Sequence, residues 1–137
     1  MEHPRIVLGT NCLLQILGAK SQYNILFEKF LEGSYSLCVS TDILLEYEEI
    51  LRSKASPSAA KLFLKMLSRS RNVERKDPYF RLGLITRDYD DNKFVDCAFV
   101  CQADLIVTND SHFQEVALSP FPSFRVIRLD DFMAMME

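Results

Sequence analysis

Four places in the chain put oxygen-bearing side chains where an apolar run stops: Gly9-Thr10-Asn11, Asp42 with Glu46, Asp90-Asp91-Asn92, and Thr108-Asn109-Asp110. The carboxylates among them, together with Asp96, are the groups with reactive potential. Carboxylates brought face to face repel one another and raise each other's pKa. A hard divalent cation such as Mg²⁺ or Mn²⁺ resolves the conflict, because it prefers oxygen ligands. Such an ion can hold a phosphate, activate a water and stabilise the leaving oxygen of a phosphodiester. The chemistry expected is metal-assisted hydrolysis.

Each acid also has a plainer role open to it. Asp91 and Asp110 suit helix N-caps. Glu46 can be one solvated member of the group Glu46, Glu48 and Glu49, and Asp96 an exposed helix residue. Joint placement at strand ends is what favours a site, and that depends on the elements carrying the acids.

Those elements are legible from periodicity and caps. RIVLG (5–9) reads as a buried strand. A short helix follows from Asn11 to Gly18, and Ser21 caps a second that stops at Gly33. SLCVS (36–40) is a second strand, and Ser40 or Thr41 caps the helix carrying Glu46. Ser56-Pro57 opens a fourth helix, since Pro suits the first helical position. Residues 72–91 are irregular, with a short strand near Val73. A helix starts at Asp91-Asn92 and runs to Gln102, ADLIVTND (103–110) holds a strand, and Ser111-His112-Phe113 begins a helical turn. FRVIRL is a last strand and DDFMAMME a terminal helix. Strands rich in Val, Ile and Leu that alternate with helices give an α/β class, a three-layer α/β/α fold with a mainly parallel sheet of four or five strands. In such a sheet, ligands bind outside the C-terminal strand ends. Three of the polar segments converge there, and the Glu46 helix leans over the same edge.

The 137 residues, 48% of them hydrophobic, suit one domain (1–137) with a sizeable core. No apolar run approaches the roughly 18 residues needed to cross a bilayer, so no membrane association is expected. The N-terminus lacks the pattern of a signal peptide, which makes the cytoplasm the expected location. Cys12, Cys38, Cys97 and Cys101 all lie in apolar periodic segments and read as reduced core thiols. Net charge is −3, yet the stretch from Arg52 to Lys76 carries +7 and the remainder −10. Such segregation can set a positive face beside a negative one, or mean only a solvated helix face. Lys61, Lys65 and Arg69 repeat at four-residue spacing on the outer side of one helix, as candidate phosphate contacts.

With these motifs in hand, the chain resembles the PIN-domain family, in the branch of toxins from toxin–antitoxin systems. The resemblance runs nearly end to end, through IVLGTNCLL (6–14), STDILLEYEEIL (40–51), DYDDNKFVDCAFVCQADLIVTND (88–110) and RVIRLDDFM (125–133). It implies an α/β/α fold and a Mg²⁺- or Mn²⁺-dependent ribonuclease built on about four clustered acids. Carried over by position, the second acid falls on Glu46, the third on Asp91 with Asp96 as an additional candidate, and the fourth on Asp110. Glu46, Asp91 and Asp110 are the implied metal ligands. Thr10, Asn11, Asn92 and Thr108 fall where the family shapes the site. The first acid falls on Gly9, which has no side chain, and His112 stands where many relatives carry another acid. Asp42, Asp88 and Asp90 are the candidates to compensate for Gly9. The resemblance also implies RNA as substrate, an antitoxin protein as partner, and a homodimer.

Two readings follow from different classes. One is a toxin-like endoribonuclease using Glu46, Asp91 and Asp110 with Asp96 assisting. The other is a weakened or inactive PIN module that binds RNA or a protein without cutting, with Gly9 as its main support.

Overall fold

The computed structural model describes residues 3–137. Five strands form its sheet: β1 (Arg5–Leu8), β2 (Ser36–Val39), β3 (Val73–Arg75), β4 (Leu105–Val107) and β5 (Val126–Ile127). All neighbouring pairs are parallel, in the order β3-β2-β1-β4-β5. The three central strands, β2, β1 and β4, show no alternation of apolar and polar residues because both faces are covered. Ile6, Val7, Cys38 and Val107 are wholly buried. Seven helices flank the sheet to complete three layers: α1 (Thr10–Leu17), α2 (Ile25–Leu31), α3 (Thr41–Lys54), α4 (Pro57–Arg69), α5 (Asn92–Cys101), α6 (Gln114–Ala117) and α7 (Leu129–Met136). No helix among the described residues is long and apolar enough to cross a membrane.

Local sequence explains most boundaries. The Ser40 hydroxyl accepts from the Ile43 amide at 3.3 Å and starts α3. Ser56 does the same for Ala59 at 3.0 Å, with Pro57 opening α4. Gly33, after α2, sits at φ +82°, a left-handed position that disfavours any other residue. Two expectations needed trimming. The helix expected from Ser21 begins as a 3-10 turn, Gln22–Asn24, and becomes α-helical only at Ile25. The last strand shrinks to two residues, because β4 offers only Ile106 and Val107 as partners.

The four cysteines are buried and free. Burial pushes the Cys12 thiol up to about 11, so it behaves as a small apolar group.

Sheet order decides where a ligand can bind. From β1 the chain winds outward to β2 and β3, then crosses back to β4 and β5 on the other side of β1. The reversal leaves a crevice outside the C-terminal ends of β1 and β4. Gly9 lies at its floor and donates its amide to the Val107 carbonyl at 2.9 Å. Its backbone is extended, at φ −62° and ψ 150°, so any residue fits that conformation. Space is tighter, since a Cβ there would lie 3.1 Å from the Thr108 hydroxyl oxygen.

Tyr47 of α3 locks the same region. Its ring is wholly buried and its hydroxyl donates to the Leu8 carbonyl, the last of β1. Tyr47→Phe is expected to lower stability by about 1–2 kcal/mol, since it strands a buried carbonyl. Urea denaturation measures this, and a loss below about 0.3 kcal/mol would show that water replaces the hydroxyl.

Candidate functional site

The crevice opens into a cavity of about 720 Å³. Gly9, Thr10, Asn11, Glu46, Asp91 and Asp110 all line it, as do Asp88, Asp90 and Thr108. Four separate segments supply these residues: the start of α1, the first turns of α3, the loop and 3-10 turn before α5, and the end of β4. Asp96 does not join them. It lies in the adjoining cavity of about 680 Å³, among Lys93, Tyr79, Phe80 and Tyr89. There its Oδ1 accepts from the Leu82 amide at 3.0 Å. Asp91 and Asp96 are five positions apart, which turns their side chains well away from each other on a 3.6-residue helix. Lys61, Lys65 and Arg69 are exposed on α4, and none of them lines either cavity.

The acids inside the crevice divide into two groups. Glu46 is fully engaged: Oε2 accepts from the Thr10 hydroxyl and Oε1 from the Lys93 ammonium at 2.8 Å. Lys93 also pairs with Asp90 at 3.0 Å. Burial pulls the Lys93 pKa down, but Glu46 and Asp90 outweigh it and hold the ammonium charged. Lys93 was not singled out from the sequence. The i, i+3 spacing from Asp90 was the available signal, and only the fold brings Glu46 to the same nitrogen.

The second group is Asp88, Asp91 and His112. One ligand atom from each lies within 4.8 Å of the others. Asp91 is not the helix cap that its position suggested, because its side chain makes no capping bond. Instead Asp88 Oδ1 accepts from the Asp90 amide at 3.2 Å, and Asp110 Oδ1 accepts from the His112 amide at 2.9 Å. Asp91 Oδ2 and His112 Nδ1 are shielded from water and have no hydrogen-bond partner. They face each other at 3.5 Å, and the same nitrogen lies 3.5 Å from Asp110 Oδ1. Orphaned buried polar atoms are costly and rare, so a pair aimed at one point fits a cation-binding site. The donor set of two carboxylates and an imidazole suits a divalent metal. The triad Glu46, Asp91 and Asp110 thus shares one cavity, but the atoms that converge belong to Asp88, Asp91 and His112.

The remaining implied positions act as supports. Asn92 is buried; its Oδ1 accepts from the Ile85 amide at 2.9 Å, and its Nδ2 donates to the Ile85 and Tyr89 carbonyls, each at 3.0 Å. These bonds hold the loop that delivers Asp88. Thr108 Oγ1 accepts from the Asp110 amide at 3.1 Å and sets the turn after β4. Asn11 is exposed at the cavity wall.

Burial, then the charges of Asp88 and Asp110, push the Asp91 carboxyl up to about 6, with His112 partly opposing them. An unfolded Asp ionises near 3.9. The folded state therefore holds the proton between these values. That stabilisation is complete below about pH 4 and is lost as pH rises through about 6. Asp91→Asn lacks this dependence. In EDTA, the stability advantage of the variant over the native chain is expected to grow from pH 4 to about 6 and then level off. A constant difference across denaturation curves at pH 4, 5, 6 and 7 would refute the assignment.

A family model described as the PIN domain matches residues 5–112. No curated protein gives a significant match. Among solved structures, VapBC2 from Rickettsia felis, bound to a DNA fragment from its promoter, superposes with a TM-score of 0.63 at 14% identity. That match covers 90% of this chain and 98% of the other. DNA-bound VapBC from Salmonella typhimurium gives 0.60 at 16% identity, covering 92% and 98%. The PIN domain endonuclease Utp24 gives 0.54 at 19% identity, covering 90% and 84%. At these identities the likeness is one of fold.

Proposed function

Since the chain belongs to the PIN-domain family, we propose that it is a divalent-metal-dependent endoribonuclease, the toxin of a toxin–antitoxin pair acting in the cytoplasm. The observation that carries this reading is the Asp91 carboxylate, whose shielded and unpartnered Oδ2 faces His112 Nδ1 at the sheet's switch point. Asp88, Asp91 and His112 would hold the ion. Mg²⁺ or Mn²⁺ bound there would supply charge stabilisation for the phosphoryl oxygens and a water of lowered pKa. Asp110 fixes the His112 backbone, and the Thr108 hydroxyl fixes Asp110. Glu46, paired with Lys93, forms the wall towards the adjoining cavity. Lys61, Lys65 and Arg69 would contact phosphates remote from the cleaved bond, with a strength that falls as salt rises. An antitoxin covering the crevice, and a homodimer, complete the proposal. The fold likeness to the two VapBC structures supports them.

A weakened module is the second reading. Two observations favour it: Gly9 contributes no ligand, and both oxygens of Glu46 are occupied. Mn²⁺-dependent cleavage of single-stranded RNA by the native chain and by Gly9→Asp separates the two. The native backbone accepts Asp, and Thr108 must yield a few tenths of an ångström. We expect native cleavage, and a rise of about tenfold in the variant, equivalent to about 1.4 kcal/mol of barrier. Activity in Gly9→Asp alone would mark the native chain as a lapsed enzyme. If both are inert at high concentration while RNA still binds, the nuclease reading fails.

A further inference from the structure

We propose that His112 is a metal ligand and that it tunes the site to a first-row transition-metal cation of the Mn²⁺-to-Zn²⁺ series over Mg²⁺. This deepens the metal-dependent reading above and rests on it.

Geometry supplies the first support. Three donors about 2.0–2.2 Å from one ion must lie within about 4.4 Å of each other. The ligand atoms of Asp88, Asp91 and His112 all lie within 4.8 Å of one another, so closure by a few tenths of an ångström brings them to that limit. At 3.5 Å, His112 Nδ1 is too far from either Asp91 Oδ2 or Asp110 Oδ1 for a good hydrogen bond. Yet this nitrogen is withdrawn from water. Its nearest polar neighbours are two carboxylates, those of Asp91 and Asp110, the surroundings that a metal-ligating imidazole needs.

The chemistry of the donor set supplies the second. Mg²⁺ demands oxygen ligands in near-ideal octahedral geometry, whereas imidazole suits the later first-row metals. The sheet's switch point offers no carboxylate from Gly9, and Glu46 is tied to Lys93 and Thr10. The three donors that converge therefore carry two negative charges rather than the three or four of an all-acid cluster, which weakens the attraction for a hard ion most. Asp110 lies outside that set, and its Oδ1 accepts the His112 amide at 2.9 Å, which orients His112. Such outer contacts fix an imidazole for ligation.

The test uses the full chain and the ions alone. Calorimetry should rank Co²⁺ and Zn²⁺ above Mn²⁺, and Mn²⁺ at least about tenfold above Mg²⁺. Electron spin-echo modulation of bound Mn²⁺ should show coupling to an imidazole nitrogen. His112→Ala should lose that coupling and about tenfold in Mn²⁺ affinity, with little change for Mg²⁺. His112→Asp should lack the coupling and bind Mg²⁺ more tightly than the native chain. The nitrogen signal needs no variant, so a substitution that misfolds leaves the test intact. Bound Mn²⁺ without nitrogen coupling would overturn the proposal, as would no binding at millimolar Mn²⁺ or an unchanged Mn²⁺-to-Mg²⁺ ratio in His112→Asp. RNA cleavage by the same samples separates the two claims. Coupling without cleavage sinks only the nuclease reading, and Mn²⁺-dependent cleavage without coupling sinks only the role of His112.

Discussion

Asp91→Asn is expected to reduce Mn²⁺-dependent RNA cleavage by about a hundredfold or more, while leaving the fold intact. The substitution keeps the side chain's shape and removes its charge. Among the described residues Asp91 is the one carboxylate with a water-shielded and unpartnered oxygen. It is also the acid whose pKa burial and neighbouring charges raise to about 6. Both facts describe a group that is costly to keep ionised in the absence of a counter-ion. Charge stabilisation by a bound metal is worth several kcal/mol in such reactions, so losing a central ligand should cost at least about 2.7 kcal/mol of barrier. The same variant should be more stable than the native chain in EDTA at pH 7, an opposition of stability and activity that a merely structural acid would not show. Cleavage of a labelled single-stranded RNA, with Mn²⁺ titrated over a wide range, measures the first effect. Activity within about threefold of native at saturating Mn²⁺ would place the chemistry elsewhere.

The largest stability effect is expected from Asn92→Ala, at about 3 kcal/mol. Asn92 is buried at 3% exposure, and its amide makes hydrogen bonds to both the amide and the carbonyl of Ile85, itself wholly buried, and to the Tyr89 carbonyl. Truncation leaves two buried backbone groups of Ile85 without these partners, each costing about 1–3 kcal/mol. The consequence reaches the site. The bonded loop runs into the 3-10 turn Tyr89–Asp91, so Asp88 loses its anchor when the loop is released. Mn²⁺ affinity should therefore fall together with stability, although the Asn92 side chain bonds only Ile85 and Tyr89. Urea denaturation and calorimetry on the same preparation check both. A loss below about 1 kcal/mol would mean that the loop finds other partners. A full loss of stability with unchanged Mn²⁺ affinity would show that Asp88 is placed by something else.

The two cavities set Glu46 apart from Asp91 and Asp110, which line only one of them. It lines both, and it is held by one residue from each side, Thr10 and Lys93. A carboxylate so placed acts more as a divider than as a free donor. This is a further reason to look for the ion at the Asp88, Asp91 and His112 corner rather than at the centre of the crevice. The basic stretch from Arg52 to Lys76 is likewise divided. Arg75 donates to the Thr41 hydroxyl at 2.8 Å and Lys76 pairs with Glu74 at 3.3 Å, so its end serves the sheet edge. Lys61, Lys65 and Arg69 remain exposed.

The sequence by itself determined what local rules control. Runs such as IVL (6–8) and LIV (105–107) had to be buried strands, because nothing in them offers a wet face. Ser40 and Ser56 had to start helices, because their hydroxyls satisfy amides that a helix leaves unpaired. The alternation of these elements set the fold class, and the acids at strand ends pointed to one edge of the sheet. Tertiary structure alone decided which acids meet. Asp88 and His112 lie 24 positions apart, on a loop of irregular path and on a 3-10 turn, where no periodicity predicts direction. Lys93 reaches Glu46 across 47 positions, from a different helix. Ligand and ion-pair geometry is a matter of ångströms between side chains on separate elements, and only the packing of those elements on the sheet sets it.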